Sequence, residues 1–183
     1  MFARTERLLL RPAWEEDDAA LHAAIGDEVV VRNLARVPWP YRMEDARSYI
    51  GMARDPQLPD FLIFARTHGA PRLIGGIGLQ REDSGAIELG YWIARPYWGL
   101  GFATEAARAV IGMADDSLRI AELVAGHFLD NPASANVLYK LGFQPTGEVV
   151  MRRSVARGRD VACARFTRQA GAQGEPVNPA LAA

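Results

Sequence analysis

The stretch from Glu88 to Ala107 constrains this chain more than any other, because it joins a strand to a helix through a glycine-spaced loop. Ile87 to Ile93 is an apolar run of strand length. Arg95-Pro96 breaks it, Trp98-Gly99-Leu100-Gly101-Phe102-Ala103 forms a glycine-spaced loop, and an alanine-rich helical pattern runs on from Ala103 to Ala114. The first turn of such a helix has N–H groups without partners, and glycines let a ligand come close to that backbone. The helix dipole adds roughly half a positive charge at the same place. The segment therefore predicts an anion cradle, and a polyphosphate is its natural guest. It is not a nucleotide loop of the G-x-x-x-x-G-K-[ST] type, since Phe102-Ala103 follow Gly101. Nor is it G-x-G-x-x-G, since Thr104 stands at the third glycine position.

The rest of the chain reads as helices first, then antiparallel strands, then one parallel crossover. Arg7 to Arg11 is a strand stopped by Pro12. Trp14 to Ile25 has helical spacing with Glu15, Glu16, Asp17 and Asp18 in its first turn, where the dipole favours acids. Val29 to Leu34 is a short helical piece, Pro38-Trp39-Pro40 a stiff connector, and Met43 to Arg54 a second helix. The period then changes to strands over Phe61 to Arg66, Leu73 to Leu79 and Ala86 to Ile93, with turns at His68-Gly69-Ala70-Pro71 and Ser84-Gly85. After the Ala103 to Ala114 helix come a strand at Ala121 to Leu129, a helix at Pro132 to Leu141, and a hairpin of Val149 to Ser154 with Val161 to Thr167. Residues 169–183 carry Ala, Gly, Pro and polar residues without period, which predicts a disordered tail after a domain spanning 1–168. The two parallel strands, 86–93 and 121–129, place a ligand crevice at their carboxyl ends.

A second motif falls at that same end. In Asp130-Asn131-Pro132-Ala133-Ser134-Ala135-Asn136-Val137-Leu138-Tyr139-Lys140-Leu141-Gly142-Phe143, Asn131 is a good N-cap, Pro132 suits the first helical position, and Gly142 can take the left-handed position after the helix. The loop Tyr97 to Ala106 resembles the pyrophosphate loop of the GNAT acetyltransferases, Q/R-x-x-G-x-G/A, with Trp98 in place of Gln or Arg. In detail it resembles the RimJ/RimL-like subgroup, which acetylates N-terminal amines of ribosomal proteins and commonly carries Trp there. The 130–143 block is similar to the N-x-x-S…K-L-G-F signature of the family, and Thr5 to Pro12 resembles the subgroup's opening strand. The resemblance implies an α+β fold of α/β/α layers, the GNAT acyl-CoA N-acyltransferase fold. Its sheet is mixed and mostly antiparallel, with one parallel β-α-β crossover splayed at the cofactor site.

What the resemblance implies for the site is specific. Acetyl-CoA is the co-substrate and no metal is needed. The pyrophosphate would lie on main-chain N–H groups of Trp98, Gly99, Leu100, Gly101, Phe102, Ala103 and Thr104. The pantetheine would add like a strand along Tyr91, Trp92 and Ile93, and reach Asn131 and Ser134. Ser134 would protonate the leaving thiolate. Glu88, an acid within an apolar strand, has two readings: a general base acting directly or through water, or a carboxylate paired with an arginine on a neighbouring strand. His127 competes for the base role by its ordinary pKa, though a structural histidine is the commoner outcome. His22 and His68 read as surface positions and Cys163 as core. Tyr139 does not inherit the acid role that many of the family give a tyrosine, because it is one residue, about 100° of helix, away from that position.

Composition bounds the rest. The chain has 183 residues and a formal net charge of −1, which gives no electrostatic footprint for nucleic acid or an anionic membrane. No apolar run reaches the length of a membrane span or a signal-peptide core. Cys163 is the single cysteine, so no intramolecular disulfide forms, which fits a reducing cytoplasm. The reaction implied is acetyl transfer to a primary amine: a protein N-terminus, a polyamine, an aminoglycoside or another small amine, held by loops at 26–42 and 154–160. A non-catalytic acyl-CoA-binding module on the same fold is the rival reading, and homodimer formation stays open.

Overall fold

The computed structural model describes residues 1–67 and 69–173. His68, within the expected 68–71 turn, and the last ten positions of the expected tail, 174–183, lie outside the described residues. The strands are β1 (Ala3–Arg4), β2 (Leu8–Arg11), β3 (Asp60–Ala65), β4 (Arg72–Arg81), β5 (Ile87–Ile93), β6 (Glu122–Phe128), β7 (Gln144–Ser154) and β8 (Arg159–Gln169). The helices are α1 (Asp18–Ile25), α2 (Glu28–Val31), α3 (Met43–Gly51), α4 (Phe102–Gly112) and α5 (Pro132–Lys140). The strands form one sheet in the order β1-β2-β3-β4-β5-β6-β8-β7. Every neighbouring pair is antiparallel except β5–β6, which is parallel. This is the α+β arrangement the sequence predicts.

Strand alternation sorts the side chains into two cores. On one face Ile87, Leu89 and Ile93 of β5 and Leu123 and Ala125 of β6 pack under Phe102, Ala106, Ala107 and Val110 of α4 and Leu138 of α5. On the other face Leu62 and Phe64 of β3 meet Leu21, Ile25, Val31 and Ala46 from α1 to α3, with Trp92 of β5 against the same cluster. The indole of Trp92 fits because Gly76 opposite it has no side chain: a Cβ there would fall 2.5 Å from the indole nitrogen.

Several elements end where the sequence did not place them, each for a physical reason. The α3 helix stops at Gly51 rather than Arg54. Arg54 instead folds back and donates to the carbonyls of Ile50 (3.0 Å) and Tyr49 (2.9 Å) while pairing with Asp60, so it caps the helix rather than extending it. Asp17 does more than complement a dipole. It is buried in a bidentate pair with Arg11, 2.7 Å on each arm, whose guanidinium lies between Trp14 and Phe64. The β7 strand begins at Gln144, five residues before Val149, because Pro145 and Gly147 are tolerated on an edge strand with a register shift between Pro145 and Val149.

The carboxyl end of β8 also runs past its expected limit, to Gln169, and residues 169–173 stay on the fold. Ala170 N–H donates to the Ala121 carbonyl (2.8 Å) and Gly171 N–H to Asp115 (3.2 Å). Arg168, 5% exposed, holds Asp115 with both guanidinium nitrogens and reaches the carbonyls of Leu141 and Ala172. Asp115 sits in a π turn, Met113–Ser117, that continues α4. Ending the chain at Gln169 therefore removes four hydrogen bonds from this corner, the fourth being Ala172 N–H to the Gln169 carbonyl. A fall in melting temperature of about 5 °C is expected, since each net bond contributes about 1 kcal/mol or less and a domain this size shifts about 2–4 °C per kcal/mol. An unchanged melting temperature would show that the corner contributes nothing.

Candidate active site

The site is built where β5 and β6 part. Their one register pair is Glu88 with Val124; beyond it, the stretch from Leu89 to Ile93 has no paired partner on β6. Main-chain groups at such an opening need partners, and an extended ligand can supply them. The β5 strand leaves this opening through a short 3-10 turn, Arg95–Tyr97, and enters the glycine loop. Trp98, 43% exposed, donates its indole N–H to the Ile93 carbonyl at 2.6 Å, so its side chain ties the loop to the strand end.

The loop has the backbone that its glycines allow. Gly99 has φ 76° and Gly101, the N-cap of α4, has φ 81°. A Cβ on Gly99 would meet nothing within 4 Å, so its surroundings are open space. Glu105 is the first residue of α4 whose N–H finds a main-chain carbonyl, Gly101 O at 3.0 Å. The N–H groups of Phe102, Ala103 and Thr104 are thus the unpaired first turn of an eleven-residue helix. The Phe102 side chain itself is buried in the core, so only its main chain can serve a ligand.

A part of the site that sequence reading missed holds this loop from the far side of the chain. Arg7 donates to the Leu100 carbonyl at 3.0 Å and to Glu105 at 2.7 Å, and its guanidinium lies 4.5 Å from the Phe102 ring centre. Glu105 also accepts from the Arg7 N–H (2.9 Å) and the Thr5 hydroxyl (2.5 Å). Residues almost a hundred positions apart meet here, which no local pattern reveals. Burial alone would push the Glu105 carboxyl up, but the Thr5 and Arg7 hydrogen bonds outweigh it and hold it below its ordinary value.

The second motif faces the first across the opening. Asn131 caps α5, its side-chain oxygen accepting from Ser134 N–H at 3.4 Å and leaving its amide N–H groups free. Ser134 Oγ lies 2.8 Å from the Tyr91 hydroxyl of β5, which is also 3.2 Å from the Ser134 carbonyl. Burial pushes the Tyr91 hydroxyl up to about 12, so it keeps its proton at neutral pH. The structure therefore gives Tyr91 a side-chain contact with Ser134 that a main-chain role does not include. Tyr139 packs edge-on against Phe166 of β8 at 5.5 Å, rather than on the surface or against a partner helix. His127 packs on the same ring at 5.4 Å, with Nδ1 2.8 Å from the Phe128 carbonyl oxygen.

Glu88, 7% exposed, faces away from α4 and α5 and takes the paired reading: both carboxylate oxygens are held by Arg152 of β7. Arg165 stands 3.8 Å off, itself bidentate to Glu82 at 2.8 and 2.9 Å. Arg152 reaches β5 past Gly126, where a Cβ would come within 2.9 Å of the Cys163 sulfur and 3.9 Å of the guanidinium. Cys163 is buried beside Phe128 and Val161, and burial pushes its thiol up. The loops expected to receive an acceptor are tied together. Val155 N–H donates to the Ala35 carbonyl (2.9 Å), and Arg157 bridges the Arg32 carbonyl (2.8 Å) and both oxygens of Asp130 (2.7 and 3.0 Å).

The Glu105 knot yields a pH-dependent expectation. Its folded pKa is depressed, so the stabilisation is present above the unfolded value and fades as pH falls through the folded one. Glu105→Gln is expected to lower the melting temperature by roughly 2–6 °C at neutral pH, about 1–2 kcal/mol. The gap to the parent protein should close as pH falls below the ordinary glutamate value and through the lowered folded one, where the parent carboxylate protonates too. A gap of constant size across that range would show that charge is not what Glu105 contributes.

Comparison with known proteins places these features. The family profile described as Acetyltransferase (GNAT) domain matches residues 7–144. The Bacillus licheniformis protein named "Uncharacterized N-acetyltransferase p20" is 31% identical over 149 residues, 78% of this chain and 82% of that protein. Among solved structures, the RimL ribosomal L7/L12 alpha-N-protein acetyltransferase superposes with a TM-score of 0.76 at 20% identity, over 92% of this chain and 94% of that one. Spermidine N-acetyltransferase from Vibrio cholerae, in complex with CoA and spermine, superposes with a TM-score of 0.74 at 17% identity, over 92% of this chain and 98% of that one. At those identities the structures speak for the fold, while the profile and the sequence relative speak for descent: the chain belongs to the GNAT acetyltransferase family.

Proposed function

We propose that this protein transfers an acetyl group from acetyl-CoA directly to a primary amine. The observation that carries the reading is the convergence at one opening: the unpaired first turn of α4, the free edge of β5 and the hydroxyl of Ser134 all lie at the carboxyl ends of the one parallel strand pair. Acetyl-CoA would supply an activated thioester. Gly99 to Thr104 would hold its pyrophosphate, Tyr91 to Ile93 its pantetheine by main-chain bonds, and Asn131 would donate an amide N–H to it.

The chain's own groups then divide the proton work. With the Tyr91 O–H donating to Ser134 Oγ, the serine proton is free to pass to the departing sulfur. Glu88 has about four lone-pair sites, of which Arg152 occupies two. The remaining ones suit a water that takes a proton from the attacking amine and passes one of its own to the carboxylate. A main-chain N–H of the β5 edge would hold the developing oxyanion.

Amine chemistry and two neighbours in fold support an order of acceptors to try. An N-terminal α-amine, pKa about 8, is neutral roughly one time in ten at pH 7, against about one in a thousand for lysine. An α-amine asks less of a base acting through water. The RimL neighbour is named for α-N-protein acetylation and the Vibrio neighbour for spermidine, so peptide N-termini and polyamines head the panel to try.

Release of free thiol from acetyl-CoA over that panel is the test. Activity with an amine is expected, and Ser134→Ala should lower kcat about a hundredfold with little change in the KM for acetyl-CoA. Tyr91→Phe should lower kcat less, by about tenfold, since it removes one oriented hydrogen bond. Tyr139→Phe should stay near the parent. A severe defect in Tyr139→Phe with a mild one in Ser134→Ala would contradict the assignment. Tight acetyl-CoA binding with no turnover on any amine would favour a binding module instead.

A further inference from the structure

Twenty of the twenty-one basic residues of this chain are arginine, and the single lysine is Lys140. It is the last residue of α5 and stands across a groove from Arg108 of α4. Both side chains border two adjoining hollows. One, of about 620 Å³, also contains Gly101, Thr104 and the Arg7–Glu105 pair. The other, of about 470 Å³, contains the Arg168–Asp115 pair.

The charges of this groove do not balance. Arg7 is consumed by Glu105 and Arg168 by Asp115. Among the described residues Arg108 and Lys140 have no ion-pair partner, and the acid left over is the exposed Glu6 at the rim. Gly101, Thr104 and Arg108 follow the i, i+3, i+7 spacing of one helical stripe. Arg108 is about 10 Å along the axis from Gly101 at 1.5 Å per residue, and helical side chains lean back toward the N-terminus. The two cations thus continue the positive field of the α4 N-terminus down a groove of its own.

We infer that Arg108 and Lys140 bind the phosphate monoester on the donor's ribose, the 3′-phosphate of coenzyme A. The inference rests on the cofactor reading above. A phosphate monoester carries about −1.5 to −2 charges at pH 7, which two cations match. Arg108 offers a planar fork of donors, and Lys140 a compact point charge on a flexible stem. The pyrophosphate and this phosphate are attached to the same ribose, so a ligand anchored at Gly99–Thr104 brings the second anion to the same groove. The pair then determines which carrier is accepted, full coenzyme A over carriers that lack the ribose phosphate.

Calorimetric titration with coenzyme A and with 3′-dephospho-coenzyme A tests it. The parent protein is expected to bind coenzyme A at least about tenfold tighter, as charge-assisted hydrogen bonds allow, and the preference should shrink as salt rises. Arg108→Ala and Lys140→Ala should each lose part of it. The double variant should bring the two affinities together without weakening the dephospho ligand. Both side chains are exposed, so the melting temperatures should stay with the parent. Because Lys140 is the one lysine, acylation of its amine by a lysine-selective reagent, read by mass spectrometry, should be slowed by coenzyme A and not by the dephospho form. Equal affinity of the parent for both ligands, or a preference that survives in the double variant, would overturn the inference and leave the cofactor reading intact. A protein that bound neither ligand would remove both together.

Discussion

Two parallel strands that pair at Glu88 and Val124 and then separate leave the middle of the sheet open at one end. An unpaired strand edge inside a protein is costly unless something satisfies its N–H and C=O groups. The surrounding structure keeps the opening in place. Tyr91 projects from β5 to the first turn of α5 and hydrogen-bonds Ser134, which fixes the strand against the second helix. On the opposite face Arg152 crosses from β7 to grip Glu88 at the last paired position. One helix begins on each side of the gap, so two sets of free N–H groups and their dipoles point toward it. An extended ligand with a phosphate at one end and a reactive group at the other matches that arrangement.

Arginine does much of the tertiary fastening. Arg7, Arg54, Arg157 and Arg168 each bind a carboxylate and one or more main-chain carbonyls. A planar fork with five donors can close a loop onto a helix end and neutralise an acid in one step. The outcome is a site whose walls are held by charged contacts between distant segments: the β1–β2 corner on the glycine loop, and the β7–β8 turn on Asp130 beside the α5 cap. Against that background Arg108 and Lys140, which border one groove and have no ion-pair partner among the described residues, are the cations proposed to take an anion there.

The order of elements and the donor side of the site were legible in the sequence because they are local. Gly99 and Gly101 mark the loop, Asn131 and Pro132 the start of α5, Gly142 its end, and the expected helices and strands fall where those marks put them. What could not be read is what depends on contacts across the fold. Nothing near Glu105 in sequence announces Thr5 and Arg7, and nothing near Glu88 announces Arg152. Asp17 looked like one of four acids in a helical first turn, yet only the folded chain sets Arg11 beneath it. Composition was misleading at Pro145 and Gly147, breakers that an edge strand absorbs, and at Ala170 to Ala172, bland residues whose main chain is held by Ala121, Asp115 and Arg168.

In this account main chain holds the pyrophosphate and pantetheine of the donor, and amide hydrogen exchange with and without coenzyme A reads this directly. Slowed exchange is expected at the amides of Gly99 to Thr104 and along Tyr91 to Ile93, the groups that gain partners from the ligand. The core amides of β3 and β4 should be unaffected. Saturating coenzyme A with no added protection in those two segments, or with protection concentrated elsewhere, would contradict the account.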